Sequence, residues 1–326
     1  MNNAVLALKY RPQTFDEVIG QDVTVKQISS ALENNTLGHA LLFYGTRGTG
    51  KTTSARIVAR ELNKDFPEIY NDWEHRSHLV VTEIDAASNN GVDHVREIID
   101  NIRYQTAGHR VIIMDEAHML TRQAFNAFLK TLEEPPDGVT FILATTEPHK
   151  LPATIKSRCQ CYEFHEVDID ILRSYYSTLA HKEGLDIDIE MAAMKAEGSV
   201  RDGLSILQKA LSGEQEEDNS RLYFELVGAL YAGDVATALE KVGTLKKAEE
   251  SRIIIQTLEK WFYWCSMESY GMKTPIRSYF EDQKDLQFDL SHLQRLFDTC
   301  LDIERQFLVT PNSKVVLDMG VMKLCL

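Results

Sequence analysis

Through the first half of the chain, short apolar runs alternate with stretches whose apolar residues recur at helical spacing. Leu41–Tyr44, Leu79–Ile84, Arg110–Met114 and Thr140–Ala144 read as strands, with Thr53–Asn63 and Gln123–Leu132 as helices between them. This strand–helix alternation predicts a parallel sheet flanked by helices, and Pro135-Pro136-Asp137-Gly138 marks a turn after the last of these helices. Beyond Val167 the strand-like runs fade. Ile171, Leu172, Tyr175, Tyr176 and Leu179, then Met191 and Met194, then Asp202–Leu211 keep helical spacing and predict a small helical domain. The polar, acidic segment 212–220 reads as a solvated connector, and residues 221–326 read again as helices, with Trp261–Trp264, Leu293, Leu296 and Phe297 as core or subunit interface.

The first strand runs directly into Gly45-Thr46-Arg47-Gly48-Thr49-Gly50-Lys51-Thr52-Thr53. Glycines at 45, 48 and 50 let the backbone turn its N–H groups inward around a polyphosphate, Lys51 reaches the terminal phosphates, and the Thr52 hydroxyl can ligate magnesium. The stretch satisfies every constrained position of a phosphate-binding loop and has the required flanks, so it predicts nucleotide binding.

A second apolar strand, Val111–Met114, ends in the adjacent carboxylates Asp115 and Glu116. Asp115 suits a magnesium ion, directly or through water, and Glu116 suits an attacking water. His118 has the simpler reading of a helix-start histidine. Thr145 and Thr146 close the next strand, where a hydroxyl can orient water against a γ-phosphate, although threonine is also a good turn residue there. Arg158 and Arg201 stand at helix boundaries, where a guanidinium fork can meet phosphate oxygens or simply pair on the surface.

Composition narrows the setting. The 326 residues are 44% hydrophobic, enough for two or three packed domains. No apolar stretch is long enough to span a bilayer and the amino terminus lacks signal-peptide zones, so no membrane association and a cytoplasmic location are the expectations. Five cysteines, at 159, 161, 265, 300 and 325, show no paired spacing and read as reduced thiols. The net charge is −14: residues 1–164 carry 17 basic against 21 acidic side chains, and residues 165–326 carry 18 against 28. Any contact with nucleic acid is therefore confined to a local surface of the first half.

Taken together these segments resemble the clamp-loader ATPases of the AAA+ class, most closely their bacterial tau/gamma branch. The resemblance rests on Lys9–Phe15, Val18–Gln21, Gly45–Thr52, Glu83–Ser88, Asp115–Leu120, Phe125–Pro136, Leu143–Pro148, Lys150–Pro152, Ser157–Cys159 and Gly198–Asp202. It is dense over residues 1–210 and matches the last third only in helical character. It implies an α/β AAA+ P-loop module over 1–164, a small helical lid over 165–212 and an all-α collar for oligomerisation over 213–326. It further implies an ATPase using ATP and Mg2+, with Lys51 and Thr52 on phosphate and magnesium, Asp115 and Glu116 as the Walker B pair, Thr146 or Thr145 as sensor 1 and Arg201 as sensor 2. Arg158 becomes an arginine finger reaching a neighbour's ATP, while Tyr10, Arg11 and Pro12, with Val18 and Ile19, border the adenine. The implied partners are other clamp-loader subunits, arranged as a pentamer, a sliding clamp and primer-template DNA. Helix N-termini can follow backbone phosphates without a basic face, which makes the acidic balance tolerable.

Two departures qualify this picture. Relatives carry a four-cysteine zinc module after the helix ending near Leu62, whereas 63–78 here holds only His75 and His78, too few ligands for a tetrahedral site. Basic residues usual after Ala86-Ala87-Ser88 are replaced by Asn89-Asn90-Gly91, leaving Arg122, with Asn89 and Asn90, as the implied DNA contacts. The chain also ends where the collar is expected to close, pointing to a compact version of the family. The alternatives are a branch-migration or helicase ATPase, which should displace strands, and a non-hydrolysing brace, which would not require Lys51, Thr52, Asp115 and Glu116. No zinc is expected, and elemental analysis of purified protein should find it well below stoichiometric.

Overall fold

The computed structural model describes residues 5–326 apart from 103–107, 188, 213–218, 248, 273, 275, 281–287 and 311. The chain divides into two compact units, residues 1–214 and 215–326.

In the first unit, five strands form one parallel sheet: β1 (Ala40–Gly45), β2 (Val81–Asp85), β3 (Arg110–Asp115), β4 (Val139–Thr145) and β5 (Gln160–Phe164), in the order β2-β3-β4-β1-β5. The helices are α1 (Leu6–Lys9), α2 (Asp22–Glu33), α3 (Lys51–Leu62), α4 (Pro67–Tyr70), α5 (Trp73–Arg76), α6 (Val92–Ile102), α7 (Arg122–Glu133), α8 (Ala153–Lys156), α9 (Ile169–Glu183), α10 (Ile189–Lys195) and α11 (Val200–Leu211). All seven residues of β4 are buried, because a central parallel strand is covered on both faces. The two-residue strand period divides the core accordingly. Leu42, Ile112, Phe141 and Leu143 face α6 and α7, while Leu41, Phe43, Ile113 and Ile142 face α2 and α3.

The expected strands and helices are present with shifted ends. A short 3-10 turn takes Ser77–Leu79, so β2 begins at Val81, and α3 begins at Lys51, earlier than apolar periodicity alone indicates. β5 buries only Tyr162 and Phe164, and that weak alternation on an edge strand hides it from a pattern search. Beyond β5, α9, α10 and α11 pack with α1 around Leu6, Leu172, Tyr176, Leu179, Leu204 and Leu207. Gln21 clasps the start of this region: its amide donates to the His165 carbonyl at 2.6 Å and accepts from the His165 N–H at 3.1 Å.

The second unit is helical: α12 (Ser220–Ala232), α13 (Val235–Leu245), α14 (Ser251–Ser269), α15 (Arg277–Phe280), α16 (Leu290–Val309) and α17 (Ser313–Leu324). Its core is built from Leu226, Val242, Leu258, Phe262, Leu296 and Leu317. Trp261 is buried with Phe262, whereas Tyr263 is 54% exposed. The expected acidic connector lies largely outside the described residues. Among those described, no helix is long and apolar enough to cross a membrane.

Phe128 of α7 is fully buried and meets Phe141 of β4 edge to face, with ring centroids 4.8 Å apart. Phe128→Ala should cost about 3–5 kcal/mol of stability, read as a lower denaturant midpoint with an unchanged slope.

Candidate nucleotide site

The strand register sets the site. Parallel pairing of Tyr44 with Thr145, Gly45 with Phe164 and Asp85 with Asp115 brings the carboxyl ends of all five strands to one edge of the sheet. That edge is where open parallel sheets bind ligands, because the loops leaving adjacent strands diverge there. A cleft of about 440 Å³ opens at this edge.

The loop after β1 wraps its base. Gly45, at φ +143°, passes so close to β5 that a Cβ there would stand 1.9 Å from the Phe164 carbonyl oxygen. Gly48, at φ +71°, lies against the start of α11, where a Cβ would meet Ser199 Oγ at 1.9 Å. The N–H of Arg201 points at the Gly48 carbonyl at 3.4 Å, and Arg47 pairs with Asp202 at 2.9 Å. Ser199 itself caps α11 by accepting from the Asp202 N–H. The phosphate-loop sequence is therefore in direct contact with the helix that carries Arg201.

Lys51 opens α3 and is buried; its ammonium donates to the carbonyls of Gly45 at 3.0 Å and Thr46 at 2.6 Å. Burial lowers its pKa, and the negative charges of Glu116 and Asp115 offset part of that. A polyphosphate would supply the remaining countercharge. The Thr52 hydroxyl donates to Asp115 Oδ2 at 2.8 Å. A hydroxyl and a carboxylate in contact at a helix start are hard oxygen donors that fit a magnesium ion, so the residues present suit Mg2+ with a nucleotide phosphate.

Glu116 adopts a left-handed backbone at φ 48° and ψ 43°, which costs a non-glycine residue about 1–2 kcal/mol. This turn lifts its carboxylate out of the β3 line and into the cleft, where the Thr146 hydroxyl donates to it at 3.3 Å. Thr145 is fully buried and accepts from the Glu147 N–H at 3.0 Å. His118, read from sequence as a helix-start residue, has a more specific setting. Its ring is 8% exposed, with Nδ1 3.0 Å from Thr145 Oγ1 and 3.3 Å from Glu116, and Nε2 3.2 Å from Glu147.

Of the residues singled out in the sequence, Tyr10, Arg11, Pro12, Val18, Ile19, Arg47, Gly48, Thr49, Gly50, Lys51, Thr52, Thr53, Asp115, Glu116 and Arg201 line the cleft together. Gly45 and Thr46 meet Lys51 through their carbonyls. Arg158 is not in the cleft of its own chain. Its guanidinium donates to Glu133 Oε1 at 2.8 Å and to the Thr154 carbonyl at 2.8 Å, with the side chain 34% exposed. Asn89, Asn90 and Arg122 come together elsewhere: the Thr121 N–H donates to the Asn90 carbonyl at 3.2 Å, setting that loop beside exposed Arg122 at the start of α7. His75 pairs with Asp72 at 2.7 Å, and among the described residues no group of three His, Cys, Asp or Glu could hold a metal.

The structure adds Val5, Leu8, Tyr175, Leu204 and Ser205 to the cleft wall. Leu204 and Ser205 lie one helical turn beyond Arg201, a spacing that could have flagged them. Val5 and Leu8 carry no such signal. They reach the cleft because α1 is bound to the helical region: the Leu6 N–H donates to Gln208 Oε1 at 2.7 Å, and Lys9 and Tyr10 both bond Glu183.

A phosphate loop, a strand-end acidic pair and a helical region touching that loop, all on a parallel sheet, define a P-loop nucleotide-binding module of the AAA+ class. A variant of Thermotoga maritima RuvB shares the fold, with a TM-score of 0.50 and 20% identity over 82% of this chain and 88% of that one. The family model described as DNA polymerase III, delta subunit, matches residues 20–168. DNA polymerase III subunit gamma of Buchnera aphidicola subsp. Acyrthosiphon pisum is 31% identical over 99% of both chains. DNA polymerase III subunit tau of Bacillus subtilis is 33% identical over all of this chain and 64% of its own length, and that of Escherichia coli is 37% identical over 78% and 41%. The chain belongs to the DNA polymerase III tau/gamma subunit family. It spans about two thirds of the Bacillus subtilis relative and less than half of the Escherichia coli one.

Gly48→Ala should lower stability by about 1–3 kcal/mol through backbone strain and the Ser199 clash. In a double-mutant cycle with Ser199→Ala, thermal or denaturant unfolding should give a combined loss smaller than the sum of the two.

Proposed function

We propose that this chain is an ATPase subunit of a clamp loader, which opens a ring-shaped sliding clamp and closes it on primer-template DNA. The observation that carries the reading is the contact of Thr52 with Asp115, which puts phosphate loop, acidic pair and Lys51 in one cleft. Membership of the tau/gamma family supports the choice of substrate and machine. A cytoplasmic location agrees with a replication role.

Tyr10, Arg11, Pro12, Val18 and Ile19, with Val5, Leu8 and Tyr175, wall the side of the cleft where the base would lie. Backbone N–H groups of 46–53 and the Lys51 ammonium neutralise the phosphates. Thr52 and Asp115 would hold Mg2+, whose chemistry is to draw charge from the β- and γ-phosphate oxygens. Glu116 orients the attacking water and accepts its proton, and Thr146 and His118 hold that carboxylate in position. Thr146, in contact with Glu116, suits the γ-phosphate sensor better than Thr145, whose hydroxyl is committed to Glu147 and His118. Arg201 enters from α11, so that a bound triphosphate draws the helical region onto the phosphate loop.

Arg158 fits a role in a neighbouring subunit. It faces away from its own cleft, remains partly exposed, and is pre-ordered by Glu133, which it can exchange for a phosphate when subunits meet. Catalysis then waits on assembly. Arg122, Asn89 and Asn90 form the short cationic and amide surface proposed for the DNA backbone, and the helical unit 215–326 is proposed to join subunits into a pentameric collar.

In the assembled complex, Arg158→Ala should lower ATP turnover by about 10³–10⁵ while nucleotide binding by the isolated subunit stays close to wild type. Turnover in a complete assembly that does not respond to clamp and primed DNA would refute the clamp-loader reading. Strand displacement by that assembly would favour a translocating motor instead.

A further inference from the structure

Next to the cleft lies a second cavity of about 410 Å³, walled by the 11–13 segment, α3, α5 and the start of β2. Three arginines line it, Arg11, Arg56 and Arg60, in a protein whose net charge is −14. Among the described residues, Arg56 alone of the three has a carboxylate fork: its Nε and Nη2 donate to Glu83, each at 2.7 Å. Arg60 stacks on the Tyr70 ring, 5.0 Å from its centroid, and its Nε is buried without an acceptor among the described residues. Arg11 makes no ion pair among the described residues; burial and the neighbouring charges of Arg56 and Arg201 disfavour its cation, with Glu83 the offsetting charge. Guanidinium charges gathered in one partly buried wall repel one another, and an incoming oxyanion offsets that repulsion.

The rest of the wall is mixed: Pro12, Ile57, Trp73 and Val81 are apolar, Gln13, Ser77 and His78 are polar, and Glu74 and Glu83 supply two carboxylates against the three arginines. A cavity of this size exceeds what one carboxylate side chain or a lone phosphate fills and falls in the range of small-ligand sites. Guanidinium forks match phosphate oxygens, and an indole beside them offers a face for a planar base.

We propose that this cavity is a second ligand site, separate from the Lys51 cleft, that takes a phosphate group carried on a planar base. The shared chemistry is a nucleoside monophosphate, whether free in solution or at the 5′ end of a nucleic-acid strand. Arg11 and Pro12 line both cavities, so the occupant sits where it can alter the wall of the first cleft.

The test is a titration of Lys51→Ala protein, in which the first cleft has lost its phosphate-binding ammonium, with AMP, with inorganic phosphate and with a 5′-phosphorylated trinucleotide. Heat of binding and Trp73 emission are the readouts. Trp73 is the one tryptophan outside residues 215–326, so a Trp73→Phe version identifies its signal. AMP should bind, and adding Arg60→Met, which keeps the stem on Tyr70, should weaken binding at least about tenfold. If that variant fails to fold, Arg56→Gln serves in its place. AMP binding unchanged by both substitutions, or no binding by any probe, overturns the proposal. Inorganic phosphate binding as tightly as AMP overturns the part assigned to the base. Tighter, Arg60-dependent binding of the trinucleotide supports the site and identifies a strand end as its source. Because Lys51 is absent throughout, the result is independent of whether the first cleft hydrolyses ATP.

Discussion

The hydrogen bond from Thr52 to Asp115 joins the first turn of α3 to the end of β3, two points separated by 63 positions in the chain. It forms only if β1 and β3 end at the same level, which requires β4 to lie between them in register with both. One interaction thus depends on the whole central sheet. The fully buried β4 is what makes that register unforgiving, since sliding a strand by one residue would exchange the Phe141 and Leu143 face with the Ile142 face.

Around that contact, charge is distributed so that the cleft is incomplete without an anion and a cation. Lys51 is buried against carbonyl oxygens, with two carboxylates near enough to sustain its charge. Glu116 sits in a left-handed turn, its carboxylate met by Thr146 just after β4 and by His118 of the same turn. Each feature raises the energy of the protein alone. Strain and desolvation persist where the surrounding structure over-determines them, and such places are commonly functional sites.

The helical region 165–212 is not an independent body laid beside the sheet. Gln21, Arg47, Gly48 and α1 all bond to it, so a ligand in the cleft touches residues on both sides of a continuous bonded surface. Arg201 belongs to this arrangement through its backbone N–H, which points at the Gly48 carbonyl. Arg158 lies outside it, and its pairing with Glu133 illustrates why a single arginine at a helix boundary is ambiguous in sequence. The same side chain can serve as a surface ion pair in one subunit and as a phosphate ligand for another.

What the sequence determined by itself was local. The phosphate loop, the strand with two terminal carboxylates and the helical spacing after Val167 were all legible, because glycine conformations, strand-end turns and periodicity are properties of short segments. Which residues close the cleft was decided by tertiary structure. Val5 and Leu8 are ordinary apolar positions that reach the cleft because Gln208 and Glu183 draw α1 onto the helical region, while Tyr175 and Leu204 arrive on α9 and α11. His118 is a turn residue in the sequence and a partner of Glu116, Thr145 and Glu147 in the fold, since its three neighbours come from the carboxyl ends of β3 and β4 and the residues just after them, whose adjacency no local pattern reveals. The arginine cavity beside the cleft has the same origin: Arg11, Arg56 and Arg60 share no sequence motif, and it is the packing of the amino-terminal segment against α3 that concentrates their charge.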